Sequence, residues 1–226
     1  MESMPRDRRS RTQLGDATRL AALGDATRRR LYEYVVAQPE PVGRNDAVTA
    51  LDLAPHTVTF HLEKLVEAGL LATENRRLSG RSGPGAGRPN KLYRRAEGEV
   101  AVSLPSRSYD LVGHILATGV EAARQEGVPV EEALAAAATT EGRSLGSVSP
   151  TGEESMFLEV LAEQGYEPRV EDDTVLLSNC PFDALARSHT ELVCGLNHSF
   201  VQGVADGVGC SGLDARLEPE PGQCCV

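Results

Sequence analysis

The sequence predicts a mainly α fold with small β (α+β), laid out in two parts, and three observations carry that prediction. Apolar residues recur at helical spacing in many places, as in Val58, Leu62, Leu65 and Val66. Alternation of apolar with polar residues is confined to short runs near Leu70, Asn90, Tyr166 and Leu213. Charge and cysteine divide the chain: residues 1–96 carry 17 Lys and Arg against 11 Asp and Glu, and residues 97–226 carry 6 against 22, with all five cysteines in the last 47 residues.

A chain of 226 residues, 40% hydrophobic, can bury a core in one large domain or two small ones. No apolar run is long enough to span a bilayer. The start, MESMPRDRRSRTQ, has no signal-peptide core, so a cytoplasmic protein without a membrane partner is expected. The net charge of −10 conceals a first part at +6 and a remainder at −16. A polyanion is drawn to the first and repelled by the second; the acidic part also serves solubility.

Residues 1–12 are polar and Arg-rich and predict a disordered basic tail. The hexapeptide LGDATR occurs at 14–19 and again at 23–28. Each Asp is expected to cap a helix, the second opening a helix from Ala26 to about Gln38 with Leu31, Val35 and Val36 inward. Pro39, Pro41 and Gly43 end it, and a short helix near Asn45–Leu51 turns Val48 and Leu51 inward. Asp52-Leu53-Ala54 makes a tight turn. Pro55 suits the first position of the next helix, where no amide donor is needed. That helix runs to about Ala68 and buries Val58, Leu62, Leu65 and Val66.

Two short helices, a turn and a second helix, followed by two strands at 70–77 and 90–95 around the glycine-rich LSGRSGPGAGRP, are the plan of a winged helix-turn-helix, here assigned to residues 13–97. His56, Thr57, Thr59, Phe60 and Lys64 fall outside the buried stripe and are the candidate contacts to base edges and phosphates. Phe60 suits a thymine methyl or a neighbouring helix, and His61 reads as a packing residue. Arg76, Arg77, Arg81, Arg88 and Lys91 are the candidate wing contacts to the DNA backbone or minor groove. The glycine-rich loop lacks the Gly-Lys-Ser/Thr ending of a nucleotide cradle. The words LGDATRRRLYEYV, TVTFHLEKLVEAGLL and GRPNKLYRR resemble the winged-helix regulators of the ArsR and DeoR-like families over residues 14–95. The resemblance implies a transcriptional regulator that binds double-stranded DNA.

Residues 104–226 read as a C-terminal α+β sensor and dimerisation domain. A helix over 104–125, with Leu111, Ile115, Leu116 and Val120 in register, is the expected homodimer contact, since two recognition helices suit a near-palindromic operator; packing within its own chain is the alternative. Further helices are expected at 130–145 and 151–164. Strands are expected around Tyr166–Val170, at 174–179 and at 213–217, with helices beginning at Pro181.

The cysteines stand at 180, 194, 210, 224 and 225, without a CxxC. An unbroken helix from Cys180 to Cys194 would part them by about 21 Å. Ser188-His-Thr-Glu191 offers a capping box that breaks it and sets Cys194 in the first turns of a new helix, where the dipole favours a thiolate. NCPFDALARSHTELVCGLNHSF and PGQCCV resemble the SufR family, iron–sulfur-cluster-sensing repressors of cluster-assembly genes. That resemblance implies an iron–sulfur cluster, usually 4Fe–4S, whose occupancy sets operator affinity. Cys180, Cys194 and Cys224 carry over as ligands, and Cys210 by spacing as the fourth. Cys225 competes with Cys224, because adjacent strand residues face opposite ways, and a non-cysteine fourth ligand stays open. The alternatives are zinc on Cys180, Cys194 and His198 with His189 nearby, inert buried cysteines, a thiol-based oxidation sensor, and a small organic ligand. No nucleophile elbow, HExxH or P-loop occurs, so no enzyme is expected.

Overall fold

The computed structural model describes residues 13–76, 89–148, 150–220 and 223–226. The fold is mainly α with small β, and the chain divides into two compact units, 1–102 and 103–226. The expected tail at 1–12 and the wing loop with Arg77, Arg81 and Arg88 lie outside the described residues.

In the first unit, α1 (Gln13–Ala21) leads through a 3-10 turn (Ala22–Gly24) into α2 (Ala26–Ala37). The two LGDATR copies take different roles. Asp25 caps α2 as expected, its carboxylate accepting the Arg28 amide at 2.8 Å. Asp16 instead lies within the first turns of α1, buried, 3.4 Å from the Arg19 guanidinium. Arg19 in turn donates to the carbonyls of Ala68 (3.2 Å) and Gly69 (2.7 Å). It thus satisfies orphan carbonyls where the later helix α4 ends.

β1 (Val42–Gly43) and α3 (Arg44–Leu51) follow; Asp52 adopts a left-handed conformation and turns the chain into α4 (Pro55–Glu67). Val58, Leu62 and Leu65 on α4 are fully buried with Leu31, Val35, Ala47 and Tyr93. β2 (Leu71–Arg76) pairs antiparallel with β3 (Asn90–Arg95), Leu71 opposite Arg95 and Arg76 opposite Asn90. β1 pairs with the other edge of β3, giving the order β1-β3-β2. β1, two residues long, carries no periodic signal and was not foreseen from sequence.

The second unit holds α5 (Tyr109–Glu126), α6 (Val130–Gly146), α7 (Glu154–Glu163), the hairpin β4 (Pro168–Glu171) and β5 (Thr174–Leu177), α8 (Asp183–Ser188) and α9 (Thr190–Val208). α6 and α9 meet backbone to backbone. A Cβ at Gly142 would lie 2.2 Å from the Phe200 carbonyl oxygen, and one at Gly203 2.4 Å from that of Thr139. Gly146 and Gly207 repeat the contact one turn along. This crossing fixes α9, around which Val112, Ile115, Phe157, Leu161, Tyr166 and Phe182 pack.

Three expectations need correction. The helix assigned from residue 104 begins at Tyr109, because residues 106–108 are bonded elsewhere: Ser108 donates its amide to Pro181 O (3.2 Å) and its hydroxyl to Gln164 O (2.8 Å). Val112, Ile115, Gly119 and Ala123 form the buried face of α5, and Val120 is exposed. Residues 213–217 form no strand: their backbone meets side chains of α9, Ala215 N donating to Gln202 Oε1 (2.8 Å) and His198 Nε2 to Ala215 O (2.8 Å). The helix break does fall between Cys180 and Cys194, but without the capping box. His189 is the N-cap of α9 and makes no side-chain cap, while Ser188 ends α8.

Candidate functional sites

The first candidate site is the outer face of α4. Burial of Val58, Leu62 and Leu65 forces the intervening side chains outward. His56 and Phe60 are exposed, and Thr57 and Thr59 half-exposed. Thr59 donates its hydroxyl to Pro55 O (2.9 Å), and Lys64 pairs with Glu67 (2.6 Å). Phe60 is 55% exposed and meets His61 edge-on at 5.2 Å, so it does not pack into this unit's core. His61 is buried as expected, its Nδ1 3.9 Å from Asp25.

Two wing candidates are engaged within the chain. Arg76 lies against Glu74 (2.7 Å) and Glu40 (3.4 Å), which raise its pKa further. Lys91 donates to both oxygens of Glu63 (2.7 and 2.9 Å), and Tyr93 Oη donates to Glu63 Oε1 (2.9 Å). The Lys91 hydrogen bond holds the Glu63 carboxyl below its ordinary pKa. Glu63 thus ties α4 to β3, a contact invisible to periodicity because the two residues are 28 positions apart.

The second candidate site gathers sulfur. Cys180 follows β5, Cys194 sits in the second turn of α9, and Cys224-Cys225 return on the C-terminal segment. Two backbone bonds bring that segment in: Cys224 N to Leu177 O (2.8 Å) and Glu218 N to Cys225 O (2.9 Å). Cys194 and Cys225 are joined as a disulfide. Cys180 and Cys224 stand close enough to compete for one proton, which raises the Cys180 pKa and, with burial opposing, lowers that of Cys224 to about 7. The amides of Val226 and Cys225 and the side chain of Asn197 also favour the Cys224 thiolate.

Asn197, one turn beyond Cys194 on α9, donates Nδ2–H to Cys224 Sγ at 3.1 Å. Its carbonyl accepts a short hydrogen bond from Tyr166 Oη. Both residues are essentially inaccessible to solvent. Tyr166 stands between Phe182 (edge-on, 6.2 Å) and Phe200 (stacked, 6.3 Å). Burial, then the nearby Cys224 and Cys180, push its pKa well up, which keeps the phenol a donor. A cleft of about 460 Å³ reaches Cys224 between Phe157, Leu177, Val201 and Leu213.

The sulfurs therefore meet as two pairs, Cys180 with Cys224 and Cys194 with Cys225, which adjoin through the neighbouring Cys224 and Cys225. Cys224 and Cys225 meet different partners, Cys224 facing Cys180 and Asn197 and Cys225 facing Cys194. Cys210, expected as fourth ligand, stands apart: it follows the far end of α9, roughly 24 Å from Cys194 at 1.5 Å per residue. There it is buried near Glu154, and both effects raise its pKa. The His198 imidazole is engaged with Ala215 O, and His189 is exposed. In this disulfide-bonded form no group of three or more His, Cys, Asp or Glu among the described residues is arranged to hold a metal ion. Asn197 and Tyr166 were missed from sequence. The one available signal was a polar residue on the otherwise apolar stripe Val193, Leu196, Phe200, Val204.

The loop ahead of Cys180 is fastened to the segment that enters the second unit. Asn179 donates to Ser106 O (3.0 Å) and Gly165 O (2.5 Å) and accepts from Arg107 (2.6 Å), which also pairs with Asp183 at 3.6 Å.

The model of a helix-turn-helix domain family matches residues 23–74, from the turn before α2 into β2. No curated protein matches the chain. No described helix is long and apolar enough to cross a membrane.

Proposed function

We propose that this chain, a DNA-binding regulator of the helix-turn-helix kind, is a homodimeric repressor of iron–sulfur cluster assembly genes whose affinity for a near-palindromic operator is set by a cysteine-ligated cluster. The observation that carries the reading is the pairing of Cys180 with Cys224 and of Cys194 with Cys225, which draws three separate segments of the chain together. The donor set suits such a cluster in kind: thiolates are its protein ligands, and N–H donors to sulfur, such as Asn197, accompany them. Cys194 and Cys225 must first be reduced, since a disulfide offers no thiolate. Cys180, Cys194, Cys224 and Cys225, most simply, supply the four sulfurs. When bound, the group supplies a redox-labile cross-link between these three segments.

The chain's own residues do the rest. α9 orients Cys194 and Asn197 on one face. The apolar shell of Phe182, Phe200 and Leu177 excludes water. α4 presents His56, Thr57, Thr59 and Phe60 to the major groove. The test is protein purified without oxygen: iron and acid-labile sulfide in matching amounts, lost in Cys180→Ser together with cluster-dependent operator binding. A Cys180→Ser protein that stays fully loaded and fully responsive overturns the reading.

The Cys194–Cys225 disulfide favours a second reading, a thiol switch. Here two thiols give two electrons and two protons to a small disulfide or peroxide. Operator binding that follows the dithiol–disulfide state in iron-free protein would select it.

A further inference from the structure

A phenol and a carboxamide buried in an apolar core are costly unless each polar atom is paired. Tyr166 and Asn197 pair with each other, and the remaining Asn197 donor faces sulfur. The amide has only two ways to lie, and its neighbours choose between them. Tyr166 Oη donates to Oδ1, which turns Nδ2 towards Cys224. The aromatic packing of Tyr166 between Phe182 and Phe200 holds the phenol in place. The chain Tyr166–Asn197–Cys224 therefore runs from the centre of the core to one chosen sulfur. An aliphatic residue at 197 would fill the same stripe of α9 without any of these requirements.

We infer that Asn197, oriented by Tyr166, is the positioning residue for Cys224: its Nδ2–H, 3.1 Å from Sγ, fixes where that sulfur stands and which group donates to it. The inference deepens the role given to Cys224 above and rests on that sulfur being the functional one. It does not need the cluster for its test. A hydrogen bond to a charged sulfur is stronger than one between neutral groups. Its loss therefore changes the sulfur's reactivity and, with a cluster bound, the ease of reducing it.

The decisive variant is Asn197→Asp, which leaves an oxygen for Tyr166 and replaces the N–H that faces Cys224. Tyr166→Phe frees the amide to turn while keeping the ring. In the full, reduced, iron-free chain, Cys224 and Cys180 are alkylated with iodoacetamide at neutral pH and both rates are read by peptide mass mapping. The expected result is a fall of about tenfold in the Cys224 rate relative to Cys180 for Asn197→Asp, and a smaller fall for Tyr166→Phe. In protein loaded with cluster, the midpoint potential moves lower in the same order. General loosening would expose both sulfurs and speed both rates. That outcome, or an unchanged ratio in both variants, overturns the inference. A chain that never takes up iron sinks the cluster reading alone, because the alkylation ratio still decides the role of Asn197.

Discussion

On α4 the candidate DNA contacts, His56 and Phe60 among them, lie outside the buried stripe of Val58, Leu62 and Leu65. Around Cys224 the polar groups that matter, Tyr166 and Asn197, lie on the same face as the apolar ones. In the first unit the buried residues and the candidate contacts are separated by the helical period; in the second the candidate groups are themselves buried. A surface built in the first way tolerates substitution of its functional side chains, since nothing in the core depends on them. A site built in the second way cannot be altered without altering the packing, and its specificity comes from fully satisfied buried bonds.

The largest expected effect tests how rigidly the second unit is held. Gly142→Ala places a Cβ against the Phe200 carbonyl, so the unit is expected to lose about 3 kcal/mol or more, read by thermal melting. Gly113→Ala, on the exposed face of α5 with nothing within 4 Å, is expected to stabilise by roughly 0.5–1 kcal/mol. If the two substitutions move the melting temperature in the same direction, the backbone contact of α6 and α9 is not what fixes the site.

The first unit should respond more gently. Asp25→Ala removes the cap of α2 and lowers its melting temperature, whereas Asp25→Asn, still a good cap, recovers most of it. Glu63 gives a pH dependence. Its folded pKa is depressed by Lys91, so its contribution is present in full above the ordinary value of 4.5 and is lost as pH falls through the folded value. The melting difference between the parent and Glu63→Gln should hold steady from pH 7 to about 5 and shrink below that. A difference that grows on acidification contradicts the Lys91 assignment.

The smallest effect concerns DNA. Each phosphate contact contributes about 0.9 to the slope of log affinity against log salt. Lys91 is engaged with Glu63, so Lys91→Ala should change that slope by much less than one contact's worth. A full unit of change means the Glu63 bond opens on DNA and Lys91 belongs to the interface.

What was legible in sequence follows the same division. Apart from β1, the elements of residues 26–76 and 90–95 declared themselves through local signals: the Asp25 cap, Pro55 at a helix start, and the stripe of Val58, Leu62 and Leu65. The break before Cys194 was also readable, though its cap was not, because His189 rather than Ser188 occupies the N-cap. The sulfur site depends on contacts between residues far apart in the chain. Cys225 was set in competition with Cys224, and which sulfur each of the two meets has no local signal; Cys210 was favoured by spacing that a helix stretches. Glu63–Lys91 and Asn197–Cys224 have no local signature, since each joins residues about 28 positions apart.

The fastening of residues 106–108 gives the sulfur site a mechanical address. The chain enters the second unit at Ser103 and within five residues is moored to Asn179 and Pro181, the neighbours of Cys180 on either side. The incoming chain is thus tied off one residue to either side of the sulfur-bearing position.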